Sequence, residues 1–233
     1  MQAEIRRARR RAAQREAILA AAKEIARRDG WRDLTIRKIA DLVEYAPPIV
    51  YEHFTSKDAL LKELLLLGFR EICRRMLIAT EAAADSKTRT IRLAETVMDF
   101  AADHPELYRV MHGLDGVPFG TGDTPREARE AFHIARGALQ SLAHDRGVTL
   151  DDVDDRVDTL WAVFHGFISL DMAHRIRGGS PRVRRLLLAG IESLLVAWGL
   201  TAGPQQRLRR TSYAAQARSD SFPARGTKDK RSD

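Results

Sequence analysis

From Ile5 to Leu200 the apolar residues recur at helical spacing, and no stretch alternates convincingly with a period of two. That pattern confines the fold to packed helices, and breakers divide it into long segments and two very short ones. Ile5 to Asp29 places Ile18, Ala21, Ala22, Ile25 and Ala26 on one face and stops at Gly30. Thr35 to Val43 opens on an N-cap threonine and aligns Ile36, Ile39, Ala40 and Val43. Pro47 to Phe54 starts with two prolines, which a first turn tolerates because its N–H groups have no intrahelical partner. A longer helix is predicted over Lys57 to Ala83, capped by Ser56 with Asp58 in its first turn.

The remaining segments are Thr88 to Ala102, Pro105 to Gly113, Pro125 to Arg146, Leu150 to Ile176 and Pro181 to Leu200, punctuated by Gly147, Gly178 and Gly179. Gly113 to Thr124 holds four glycines and a proline and is predicted to be a loop. The expected fold class is all-α: a small three-helix N-terminal domain of helix-turn-helix plan followed by a larger helical bundle. We place the boundaries at 1–56 for a basic arm and the helix-turn-helix, 57–201 for the bundle and 202–233 for a tail. The tail, rich in Arg, Ser, Ala, Gly and Pro, lacks the apolar surface to offset its ordering entropy and is expected to be disordered.

With 233 residues and 44% hydrophobic content, an ordinary soluble core needs no covalent staples. One cysteine, Cys73, cannot form an internal disulfide, so a reducing, cytoplasmic setting is expected. Met1 to Arg15 is basic without the apolar core of a signal peptide, and Leu186 to Leu200 is too short and too interrupted to span a bilayer. Charge is uneven along the chain. Residues 1–15 carry six arginines against Glu4, and the tail eight basic residues against three aspartates, so of the overall +7 each end holds +5 while the body is slightly acidic. Basic ends beside a nearly neutral body form an electrostatic footprint for a polyanion.

Two short helices joined by a tight turn behind a longer supporting helix are the plan of a helix-turn-helix, whose second member enters the major groove. The string LTIRKIADLVEYAPPIVYEHFTSKDALL, Leu34 to Leu61, resembles the signature of the TetR/AcrR family. The resemblance is carried by Gly30 and Trp31, by Thr35, Ile36, Arg37, Ile39 and Ala40, and by Tyr51, His53, Phe54, Ser56, Lys57, Asp58 and Leu60. It departs at Glu44, Tyr45 and Ala46, where members of the family usually have a glycine, a small apolar residue and a serine. The turn thus lacks its left-handed glycine and the recognition helix its hydroxyl cap.

The resemblance implies roles that the side-chain chemistry supports. Thr35 and Tyr51 would bond phosphates through hydroxyls, Lys57 would meet a phosphate, and the arginines from 6 to 11, foremost Arg6, Arg7, Arg9 and Arg10, would follow the backbone or enter the minor groove. Base reading would fall to Arg37, able to fork onto a guanine, and to Pro47, Pro48 and Ile49, which sense only thymine methyls or shape. Ile36, Ala46 and His53 complete the expected DNA face. Ile39, Ala40, Val50 and Phe54 are expected to pack the domain core.

In the bundle, Leu160 to Met172 is apolar almost all round, as is Leu186 to Trp198. A helix shows that pattern when both faces are covered, one by its own domain and the other by a second subunit. The resemblance assigns the last two long helices to a four-helix dimer interface. A homodimer reading half-sites about 34–36 Å apart on a palindromic operator in double-stranded DNA follows. Trp161, His165 and Gly166 look like the marks of the WHG-type C-terminal domain, and mid-helix Gly166, costing about 1 kcal/mol, points to a close backbone approach. Phe100, Tyr108, Met111, Phe132, Trp161, Phe164 and His165 are the candidate lining of an effector pocket for a small apolar or aromatic ligand. His165 is read first as bonding another helix, and the aromatic residues compete with a plain-core reading.

The function expected is that of a sequence-specific transcriptional repressor released by a small effector, with no cofactor, metal or membrane partner. An activator on the same fold stays open. Asp151, Asp152, Asp154 and Asp155 lack the glycine and terminal glutamate of a calcium loop and read as a charged helix N-terminus. The seven histidines contain no i, i+4 pair. Arg70, Arg74 and Arg75 would favour a reactive thiolate at Cys73, against a half-buried helix thiol. An all-α enzyme is the weaker rival, since Gly113 to Gly122 lacks the lysine and Ser/Thr of a phosphate loop and no nucleophile elbow occurs. A non-specific nucleic-acid binder using the basic termini is the other.

Overall fold

The computed structural model describes residues 1–113 and 123–202; most of the predicted loop and nearly all of the tail, with their assignments, lie outside the described residues. Nine helices and no strand occur among the described residues: α1 (Gln2–Asp29), α2 (Ile36–Leu42), α3 (Pro47–His53), α4 (Lys57–Glu81), α5 (Ser86–Asp103), α6 (Pro105–Met111), α7 (Arg126–Arg146), α8 (Val153–Met172) and α9 (Gly179–Ala197). The all-α expectation holds, and most ends fall where capping chemistry put them. Thr35 accepts from the Lys38 N–H and Ser56 from the Ala59 N–H, satisfying first-turn donors that a helix cannot satisfy itself. Asp85 does the same for α5 through Thr88, a cap the sequence reading passed over. Asp152 stands at the N-cap position of α8, with Asp154 and Asp155 in its first turn, as the charged-terminus reading required.

Two departures matter for function. Helix α1 begins at Gln2, three residues before the predicted Ile5, and carries the arginines from 6 to 11 on its first turns, inside the predicted helix. Helix α8 ends at Met172, four residues before the predicted Ile176, because His174 turns into the left-handed region (φ 54°).

The core explains how the N-terminal helices are held. Ile18, Ala22, Ile25, Ile39, Ala40 and Val50 close the first three helices on one another. Helix α4 leaves that group and runs between α5, α6 and α7, burying Leu60, Leu64, Leu65, Phe69, Ile72 and Met76. Trp31, 1% exposed, stands at the junction: its indole N–H donates to the Glu106 carbonyl oxygen of α6 at 2.8 Å. Where α4 crosses α6, a Cβ on Gly68 would overlap Met111 Sδ and Cγ, so a larger residue there would push the Met111 side chain aside. Helices α8 and α9 pack on each other beside α7 and α5 through Val157, Ile168, Val183, Leu187, Ile191 and Leu195.

Candidate nucleic-acid interface and bundle cavity

The turn between α2 and α3 keeps its geometry without its glycine. Glu44 adopts the left-handed conformation (φ 56°), the Tyr45 N–H donates to the Ala40 carbonyl (2.9 Å), and the Glu44 N–H to that of Asp41 (3.4 Å). These are the two bonds of a Schellman motif, which close α2 and turn the chain into α3. Ala46 is the N-cap of α3 and supplies no side-chain cap, as its lack of a hydroxyl requires.

Most of the residues predicted from sequence for the DNA face are exposed or half-buried. Thr35, Arg37, Ala46, Pro47, Pro48 and Tyr51 are exposed, and Ile36, Ile49 and His53 are half-buried. Tyr51 stands out at 52% exposure for so large an aromatic ring. The Thr35 oxygen accepts the capping bond, leaving its proton free to donate outward. Arg6, Arg7, Arg9 and Arg10 are exposed along one end of α1, and Arg11 Nη2 donates to the Glu52 carbonyl at 3.4 Å, tying that end to α3. His53 is held below its ordinary pKa by burial first and by the Arg11 charge second, so it stays neutral at physiological pH. Lys57 is engaged differently from the expectation. Its ammonium donates to the carbonyls of Trp31 (2.8 Å) and Arg32 (3.4 Å), clamping the loop after α1.

The second site is a cavity of about 890 Å³ in the bundle, within the span typical of small-molecule sites. Of the seven predicted lining residues, Met111, Phe132, Trp161 and His165 reach it. Phe100, fully buried, packs on His104 instead, and Phe164 is packed against the core away from the cavity. Tyr108 sits behind the wall, its hydroxyl 3.3 Å from His165 Nδ1. The first reading of His165, a bond to a carbonyl of another helix, is met only in part: its partner on α6 is a tyrosine hydroxyl. Sequence reasoning missed Phe69, His112, Ala128, Val157 and Ala162, which come from α4, α7, α8 and the end of α6. His112 follows Met111 directly and precedes Gly113, so it read as a helix end.

Cys73 does not have the environment of a reactive thiol. Burial raises its pKa to about 11, Sγ lies 3.4 Å from the Glu127 carbonyl, and Arg74 and Arg75 pair with Glu71. Among the described residues no cluster of potential metal ligands and no helix long and apolar enough to cross a membrane is found.

A supporting helix, a short helix-turn-helix with an exposed second member, and a cavity-bearing helical bundle define the class of helix-turn-helix regulators. The bacterial tetR-family regulatory domain matches residues 18–64, and the tetracyclin repressor-like C-terminal domain matches residues 90–194, together more than half of the chain. This chain belongs to the TetR family of transcriptional regulators. No curated protein matches it by sequence. Similar solved structures include a protein of unknown function from Rhodococcus sp. RHA1, with TM-score 0.68 and 22% identity over 81% of this chain and 95% of that one. The TetR family transcriptional regulator PfmR from Thermus thermophilus gives 0.56 and 19% over 74% and 93%. The fatty acid degradation regulator FadR from Bacillus halodurans gives 0.59 and 14% over 76% and 95%. At these identities the likeness is one of fold.

Proposed function

We propose that this protein is a homodimeric transcriptional repressor that reads a palindromic operator with α2 and α3 and leaves it when a small molecule fills the bundle cavity. The observation that carries the reading is the exposed surface of Thr35, Arg37, Pro47, Pro48 and Tyr51 on a turn whose left-handed geometry Glu44 maintains. Nothing within the chain requires Pro47, Pro48 and Tyr51 to be exposed together, and a major groove accommodates a helix presenting such a surface.

A second subunit is supported by the outer faces of α8 and α9. Gly166 and Leu170 on α8, and Ala189, Ser193 and Ala197 on α9, are exposed on those faces, and most are small. A Cβ on Gly166 would meet nothing within 4 Å among the described residues of its own chain. Its cost of about 1 kcal/mol mid-helix is therefore not explained by internal packing and fits the close approach of a partner helix.

Coupling runs through α6. Its C-terminal end, Met111 and His112, lines the cavity; Met111 bears on Gly68 of α4, and Glu106 at the other end holds Trp31. A ligand that shifts α6 therefore shifts α4 and the junction with the DNA-binding helices, changing the distance between the recognition helices of a dimer.

Selection of bound duplexes from a random pool at near-physiological salt tests the core of this reading. Enrichment of one palindrome is expected. Salt-sensitive binding without an enriched motif refutes it in favour of non-specific binding by the basic α1 end and tail.

A further inference from the structure

At the inner end of the cavity, three rings from α6 and α8 and the histidine following α6 form one cluster, in which Tyr108 stacks on His112 and His165. His112 lies 4.1 Å from Tyr108, 5.1 Å from His165 and 5.2 Å from Trp161, measured between ring centroids. Their hydrogen bonds assign the protons. His112 Nδ1 is 2.8 Å from the Tyr108 carbonyl oxygen, which only accepts, so Nδ1 carries the proton and donates. Burial lowers the His112 pKa to about 4, which keeps the ring neutral and makes Nε2 a bare lone pair. That Nε2 is buried and has no hydrogen-bond partner among the described residues.

Tyr108 assigns His165 in turn. Burial raises the pKa of its phenol, so the hydroxyl keeps its proton, and the bond to His165 Nδ1 is its one hydrogen bond among the described residues. A buried donor takes the available acceptor, so the hydroxyl donates to Nδ1. Neutral His165, its own pKa lowered by burial, then carries its proton on Nε2, on a ring that lines the cavity. The polar end of the cavity thus holds one donor, the His165 ring N–H, and, buried behind its surface, one acceptor unpaired among the described residues, His112 Nε2, with no net charge. The charged lining residues, Arg129 and Asp158, are both exposed at the rim, where Arg129 donates to the Thr124 carbonyl.

We infer that the ligand of this cavity is a neutral, largely apolar molecule bearing a hydroxyl, whose oxygen accepts from His165 and whose proton goes to His112 Nε2. The inference rests on the effector reading of the cavity. An ether or ketone offers no donor and leaves the lone pair orphaned, and a carboxylate brings a charge to a neutral end. His112 Nε2 has no exposed surface beneath the surrounding rings, so the hydroxyl reaches it as those rings part. Because His112 caps α6, that movement acts on the same helix that holds Trp31.

Isothermal calorimetry on the full-length protein with 2-naphthol, 2-methoxynaphthalene and 2-naphthoate tests the assignment. Wild type is expected to bind 2-naphthol about tenfold more tightly than either other probe, the worth of one satisfied buried acceptor. His112→Phe should bring 2-naphthol down to the ether and leave the ether within about threefold. His165→Phe should weaken both, since His165 donates to either oxygen. Equal affinity of naphthol and ether for wild type overturns the inference, as does tighter binding of naphthoate, and neither result depends on a variant folding. Binding of none of the three overturns both the inference and the cavity's effector role. Tenfold-preferred naphthol binding that leaves affinity for the selected duplex unchanged sustains the ligand class and refutes the effector reading alone.

Discussion

Replacing Glu44 by glycine should stabilise the protein, although it removes a side chain and adds flexibility. Glu44 sits at φ 56°, where the Cβ of an L-residue crowds the following carbonyl at a cost of roughly 1–2 kcal/mol. Its exposed side chain makes no hydrogen bond among the described residues, so nothing is lost outward. Glycine removes the crowding but brings about 0.5–1 kcal/mol of extra chain entropy to the unfolded state. The net is a gain of about 0.5–1 kcal/mol, or about 1–4 °C in Tm for a chain of this size. Scanning calorimetry at one fixed protein concentration reads it. Glu44→Val, with a β-branched carbon at the same φ, should move the opposite way. A Glu44→Gly Tm equal to or below wild type, with Glu44→Val no worse, would show that the turn carries no strain and that α2 and α3 are joined differently.

Arg37→Ala should cost about 1–3 kcal/mol and relax base preference at one operator position, while Tyr51→Phe weakens all duplexes alike; titrations on operator point variants separate the two. His112 couples stability to pH. Its folded pKa, about 4, lies below the ordinary 6.5, so the unfolded chain binds the extra proton in between. Stability is then full above pH 6.5 and falls by about 3 kcal/mol as the pH drops to 4. Urea midpoints across that range should show the loss, and His112→Phe should flatten most of it, His165 adding a smaller contribution of the same sign. Trp31→Phe removes the bond to the Glu106 carbonyl and should cost about 1–3 kcal/mol in a urea titration while weakening the ligand's effect on operator affinity. Gly166→Leu should leave secondary structure intact by circular dichroism yet shift the sedimentation equilibrium toward monomer.

The helix succession, the caps at Thr35 and Ser56 and the exposed face of the DNA-binding helices were legible in the sequence because each depends on residues within four or five positions of one another. The same locality made the loss of the turn glycine and of the α3 cap visible in advance. Sequence alone could not tell that Glu44 would take the left-handed conformation itself, since that is decided by α3 docking against α1 and α2. Lys57 was assigned to phosphate because its position in the motif is local, whereas the carbonyls that hold it lie more than twenty residues away. The cavity was half legible: aromatic residues at helical spacing mark a buried face but not whether that face meets a neighbour or a void. Phe100 and Phe132 look alike in sequence, and only the crossing of α4, α5, α6 and α7 puts the first in the core and the second on the cavity. The same holds for the polar end, where Tyr108, His112 and His165 acquire their protonation from one another across 57 residues of chain. Periodicity and capping therefore determined what this chain folds into; the protons and the space available to a ligand were left to the packing, because burial and long-range hydrogen bonds exist only once the helices have come together.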